Sequence, residues 1–266
     1  ISKNIKIRKG KIIVPSGFSS PVFKITTNGG HLIGFELSDM WIYSSEYTGK
    51  AILVEAAESG YNVIWGTIKD IRIRGFEYGV HFKSSTLNAY VNGNTIINLR
   101  TWYTRYPVYF ETYPGYLQVN GNALIHLRHQ YDPSATTEAI HVEGIHNSII
   151  DGRVWDKPSD VNSCLITTSA WYTLVIGGSL PDLSDQGHYS TVINPYLSRF
   201  IKTEKLHLGQ EWDTDTYLYK AGVKTIATPD DILIEDSTKG LILVDRTTGT
   251  KYRLYVDNGS LNVEAV

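Results

Sequence analysis

The sequence predicts an all-β protein: a right-handed parallel β-helix with three strands per turn, followed by a small C-terminal β module. Three observations carry this. No long window has helical periodicity, while short alternating runs of β-branched and aromatic residues recur along the chain. Val91-Asn92-Gly93-Asn94 returns as Val119-Asn120-Gly121-Asn122, 28 residues on, and Thr95-Ile96-Ile97-Asn98-Leu99-Arg100 returns as Ala123-Leu124-Ile125-His126-Leu127-Arg128. A fixed period of this size marks one structural unit stacked on copies of itself.

Residues 1–30 read as leading strands, with turns at Pro15-Ser-Gly and Asn28-Gly-Gly, that could cap one end of the stack. From 31 to 202 the repeat is followed turn by turn. A first strand carries a short polar residue between apolar ones: Asp39, Asp70, Asn98, His126, Asp151 and Asn194. Asn and Asp tolerate left-handed backbone angles, so this position marks a corner. A second strand buries alternate residues, Ile52 and Val54, Val80 and Phe82, Val108 and Phe110, Ile140 and Val142. A third, weaker strand reads Asn62-Val-Ile, Tyr90-Val, Leu117-Gln-Val and Leu174-Val-Ile. Sandwiches and propellers need hairpins between neighbouring strands and do not explain matched words three strands apart. After 202 the register is lost; 203–225 read as a connector, and Ile232-Leu-Ile-Glu, Gly240-Leu-Ile-Leu-Val, Lys251-Tyr-Arg-Leu-Tyr-Val and the Asn258-Gly259 turn read as a hairpin module.

Composition narrows the function. A net charge of −2 gives no basic field for nucleic acid or anionic lipid, and no apolar run is long enough for a membrane span. The single cysteine, Cys164, rules out an intrachain disulfide and reads as a small buried residue. No metal motif, phosphate loop or Ser–His–Asp signature is present, and no cofactor is expected. The chain begins with Ile rather than Met, as a fragment or processed product would.

Stacking turns outward residues into ladders. One runs Arg72, Arg100, Arg128, Arg153; beside it runs Arg74, Trp102, Gln130, Trp155, with Tyr103 and Tyr131 adjacent. Stacked guanidinium groups need a counter-charge, either from Asp70, Asp151 and Asp156 or from an anionic polymer. Aromatic faces beside Arg suit sugar rings, or alternatively pack under loops or in a subunit contact. A second ladder runs Glu55, Lys83, Glu111, Glu143, flanked by Leu53, His81, Tyr109 and His141. Glu111 and Glu143 on adjacent turns approach the ~5 Å separation of a retaining glycosidase, where one pKa should rise. Lys–Glu alternation that keeps a sheet face soluble is the alternative reading.

The three-strand turns of 31–202 resemble the pectate-lyase-like β-helices, a group that includes phage tailspikes. Gly240-Leu-Ile-Leu, Lys251-Tyr-Arg-Leu-Tyr-Val and Gly259-Ser-Leu are similar to short C-terminal modules of viral tail and fibre proteins. The resemblance implies a homotrimer on the virion surface that binds host cell-surface polysaccharide, which many such proteins also cleave. The pectate lyases' calcium-binding Asp cluster has no counterpart in this sequence. Candidate ligand-binding residues are Arg100, Trp102, Tyr109, Arg128, Tyr131, His141, Arg153 and Trp155, and candidate catalytic residues are Glu111 and Glu143.

Overall fold

The computed structural model describes residues 5–132 and 137–193, together with the backbone of strands Lys202–Thr203, Leu241–Val244, Lys251–Asp257 and Ser260–Ala265. Two compact units divide the chain, Ile1–Thr214 and Asp215–Val266. The first is a parallel β-helix. Its long strands, Lys6–Ile13, Glu36–Tyr43, Thr67–Arg74, Thr95–Trp102 and Ala123–Gln130, pair in succession although each is separated in sequence by a full turn. The register matches the repeated words: Ile96 faces Leu124 and Arg100 faces Arg128. A second set, Phe23–Thr26, Lys50–Ala56, Tyr78–Ser84, Tyr106–Glu111 and Ile140–Ile145, stacks the same way. Two-residue strands at Leu32–Ile33, Val63–Ile64, Val91–Asn92 and Val119–Asn120 complete each turn.

The corner expected in the first strand is present. Asp39, Asp70, Asn98, His126 and Asp151 all have φ between 52 and 59°, a region short polar side chains accept by bonding locally. The bend turns each long strand around the core, so that Leu37 and Met40, or Ile96 and Leu99, point inward from either side of it. Ile52, Val54, Val80, Phe82, Val108, Phe110, Ile140 and Val142 are fully buried as expected, and Phe82 stacks on Phe110 at 5.3 Å.

Two assignments change. Ile5-Lys-Ile-Arg and Lys11-Ile-Ile-Val, which read as two of the leading strands, are one strand, Lys6–Ile13, in parallel register with Glu36–Tyr43 and bent at Lys9, φ 57°, where its neighbour bends at Asp39. Leu174–Ile176, read as a third strand, pairs with Ser148–Ile150 and so belongs to the long-strand sheet. The cause is that Cys164–Trp171 runs on through the third-strand position, with Trp171 facing Ile145, so the next turn starts at Leu174. Thr191–Ile193 follows it in the same sheet, in agreement with the expected strand at Val192.

The second asparagine of the repeated word lies inside. Asn94, Asn122 and Asn147 are completely buried. The Oδ1 of Asn122 accepts from the Asn94 backbone N–H, and the Oδ1 of Asn147 from that of Asn122. Each Nδ2 donates to a carbonyl of the turn below: Asn94 to Val63, Asn122 to Val91, Asn147 to Val119. One rung earlier the position is Gly66, whose N–H donates to Asn94 Oδ1 and whose missing side chain leaves space for the Phe35 ring. Close approach also fixes Gly144. It has φ +88°, and a Cβ there would lie 1.9 Å from the Val119 carbonyl oxygen. Gly144→Ala is expected to cost about 2–4 kcal/mol, read from a urea midpoint, because alanine is strained at this backbone angle and its Cβ overlaps the Val119 carbonyl.

The second unit contains an antiparallel sheet of Leu241–Val244, Lys251–Asp257 and Ser260–Ala265. Asp257 pairs with Ser260, which leaves the two-residue connection expected of Asn258-Gly259. The connector 203–225 (apart from Thr203), the strand expected at 232–235, and Asn194 lie outside the described residues.

Candidate functional site

Beyond the corner, alternation sends two columns of the long-strand sheet outward. Register places Trp41, Arg72, Arg100, Arg128 and Arg153 in one, and Tyr43, Arg74, Trp102, Gln130 and Trp155 in the next. On the rungs before the arginines the same column holds Lys11 and then Trp41, a tryptophan not among the expected site residues although it stands at the same offset from Asp39 as Arg72 from Asp70.

The arginines divide into two pairs. Arg128 donates to the Asp151 carbonyl and carboxylate, each at 3.0 Å, and Arg153 Nε donates to the same carboxylate at 3.0 Å. Burial pushes the Asp151 carboxyl up, but these two guanidinium groups outweigh it and hold it below the usual range. Arg72 instead lies over the Trp41 ring, 5.9 Å from its centroid. Neither Arg72 nor Arg100 has an ion pair among the described residues. Arg74 sits between Tyr43 and Tyr103, at 5.6 and 5.1 Å.

Two open grooves follow these columns. The first, about 440 Å³, is lined by Lys11, Trp41, Asp70, Arg72, Asn98 and Arg100 among others. The second, about 360 Å³, is lined by Thr101, Trp102, Arg128, Gln130, Trp155 and Asp156. Trp155 is 48% exposed and offers an open indole to a ligand; Trp41 is 43% exposed, with Lys11 Nζ 5.5 Å from its ring centroid as well as Arg72. Tyr131 is not open to a ligand. It is 1% exposed, with its hydroxyl donating to the Asn162 carbonyl, because alternation after the outward Gln130 turns the next residue into the core. It is a core residue and not a ligand contact.

The remaining candidates stand on a different face, in the second sheet. Lys83 Nζ donates to Glu111 at 2.7 Å, and His81 Nε2 meets its other oxygen at 2.7 Å. His141 is held by Glu138 through Nδ1 and faces Glu143 through Nε2 at 3.4 Å, while Glu143 also accepts from the Thr112 backbone N–H. Tyr109 stacks on His141 at 4.1 Å and meets His81 edge-on. Neither groove is lined by Glu111 or Glu143. The expected rise in one carboxyl does not occur at Glu111. Burial pushes it up, but His81 and Lys83 outweigh that and bring it to about 2. At neutral pH Glu111 has no proton to donate, and the neighbouring group whose pKa moves the other way is His141. Burial pushes the His141 imidazole down, but the carboxylates of Glu138 and Glu143 outweigh it and raise it above its usual value.

A group depressed in the folded state stabilises it above its unfolded pKa and loses that contribution as pH falls through the folded value. Glu111→Gln is therefore expected to flatten the loss of stability between about pH 4.5 and the folded value of about 2, measured as thermal midpoint against pH. A slope identical to the parent's would show that the Lys83–Glu111–His81 bridge contributes nothing.

No family model matches the sequence, and neither the curated proteins nor the solved structures contain a match.

Proposed function

We propose that this chain binds an extended acidic polysaccharide along the outward Arg/Trp columns of the long-strand sheet. The observation that carries the reading is the first groove, where the half-exposed Trp41 stands beside Arg72 and Arg100, two guanidinium groups with no ion pair among the described residues; the next groove adds the indoles of Trp102 and Trp155 beside Arg128, which Asp151 already engages. An indole face takes the C–H face of a sugar ring, and an open guanidinium takes a carboxylate, sulfate or phosphate on it. Arg128 and Arg153, already engaged by Asp151, serve as scaffold and offer their remaining donors to hydroxyls.

The wider setting, a virion-surface spike whose copies grip a host's surface polysaccharide, is supported by the resemblance of the turns and of the C-terminal segment to tailspike and fibre proteins. The test is direct. Full-length protein is titrated with host capsular or cell-wall polysaccharide at 50 and 300 mM NaCl, and new reducing ends are assayed in parallel. Binding that weakens with salt supports the reading. Absence of binding, or binding indifferent to Arg100→Ala and Arg72→Ala, sinks it. Release of reducing ends that Glu111→Gln or Glu143→Gln abolishes would add cleavage on the second-sheet face.

A further inference from the structure

One inward column of the long-strand sheet is aliphatic except at its centre. Register aligns Ile42, Ile73, Thr101, His129 and Val154 on five consecutive rungs, and all five side chains are buried. Thr101 and His129 are the polar exceptions. His129 is completely buried, with Nδ1 2.8 Å from the Thr101 hydroxyl, and its Nε2 has no hydrogen-bond partner. Valine or isoleucine at both positions would continue the column and strand no polar atom. A histidine here breaks a rule its neighbours keep, and such departures gather at functional sites. The pair underlies the second groove. Thr101 lines that groove beside Trp102, and His129 stands between the groove residues Arg128 and Gln130.

We infer that Thr101 and His129 form an acid-sensitive latch: protonating the imidazole opens the two rungs that carry the second groove. Protonation puts a positive charge and a further N–H into an apolar interior, where Nε2 finds no acceptor. The groups that face the ring are Thr101 from the rung before, Val154 from the rung after, and Tyr131 from its own chain, edge-on at 4.6 Å. None is a carboxylate. Tyr131 stays neutral because burial pushes its phenol up, and Glu138 and Cys164 act on that phenol rather than on the imidazole. Burial drives His129 down to about 3, against a smaller upward pull from its hydrogen bond to Thr101. A group lowered in the closed state is neutral there and protonates on opening. Closure is therefore fully favoured above the open-state value of about 6.5 and is lost as pH falls from there toward the closed-state value. Between pH 7 and 5 the opening constant should rise roughly 25-fold. His81 is also lowered by burial, but its Nε2 meets Glu111 and it belongs to the second sheet, so its effect is read in a different segment. Release of a bound polysaccharide on acidification rests on the function proposed above; the opening itself does not.

Amide hydrogen exchange on the full chain at pH 7, 6 and 5, read by mass spectrometry, tests the latch. Comparing the parent with His129→Gln at the same pH cancels the intrinsic exchange rate, and His129→Val serves the same purpose if glutamine disturbs folding. Parent peptides covering 95–102 and 123–131 are expected to lose protection relative to either variant, by roughly 25-fold at pH 5 over pH 7. Peptides covering 78–84, which carry His81, should change equally in parent and variants. In parallel, the chain is titrated with heparin, whose sulfates stay charged throughout. The parent's affinity should fall at least tenfold from pH 7 to 5, and His129→Gln should hold it. Parent and variants that lose protection alike as pH falls overturn the latch. Opening without loss of affinity keeps the latch and overturns release. A chain that binds neither heparin nor host polysaccharide at pH 7 fails the proposed function, and the exchange comparison still decides the latch.

Discussion

Replacing Asn122 with alanine is expected to lower stability by about 3–5 kcal/mol, among the largest effects of any single substitution in the helix. The side chain is completely buried, and its amide serves two neighbouring turns at once. Its Oδ1 accepts from the Asn94 backbone N–H at 3.0 Å and from Asn94 Nδ2 at 3.1 Å; its Nδ2 donates to Val91 O at 2.9 Å and to Asn147 Oδ1 at 3.2 Å. Alanine strands a backbone donor and a backbone carbonyl away from water, each worth about 1–3 kcal/mol when left unmade. Asn122→Leu, which restores volume without the bonds, should rescue little. Because stacked repeats are stabilised chiefly by their neighbours, the defect should also broaden the urea transition. A midpoint and width equal to the parent's would mean that the asparagine column is not what ties the turns together.

The second large effect concerns binding. Trp102→Ala combined with Trp155→Ala is expected to weaken polysaccharide affinity by about 10²–10³, since a buried aromatic anchor is typically worth 2 kcal/mol or more and each 1.4 kcal/mol is tenfold. Both line the same groove, so the losses need not add. Arg100→Ala acts differently. It should weaken binding most at 50 mM salt and least at 300 mM, because the contact it removes is screened by ions. A double tryptophan variant that folds and still binds as tightly as the parent would remove the indoles from the site.

Much of this arrangement can be read from the residues alone, because a repeat supplies its own coordinates. The Val91 and Val119 words gave the register Val119 to Val91 and Arg128 to Arg100 that the sheets show. The corner was legible because Asp and Asn are among the few residues that accept its backbone angle. What failed did so where the period fails or was not carried through. Leu174 departs from expectation because the preceding strand lengthens to Trp171, and Tyr131 because it was grouped with the outward residues beside it, whereas alternation carried past the outward Gln130 turns it inward. The buried asparagines were visible as letters, but a polar residue at a regular interval reads as a turn until the interior is seen to be served by its amide. Trp41 was missed because its rung holds a different residue type from the four arginines after it. The carboxyl of Glu111 depends on what crosses to it from the adjacent rung, His81 and Lys83, and that contact exists only once the turns are stacked.

The parallel register has a mechanical consequence. The strand-to-strand hydrogen bonds of the helix, and most bonds of the asparagine column, point from one turn to the next along the stacking axis. A pull along that axis loads the bonds of one turn boundary and then the next, so the first unit should unravel turn by turn at modest force. A load applied across the axis shears all the bonds of a boundary together and meets far greater resistance. A surface that holds a long polymer lengthwise is thus loaded most safely when the polymer pulls sideways, which an optical-trap measurement with handles at Trp41 and Trp155, compared with handles along one strand, would resolve as two distinct rupture forces.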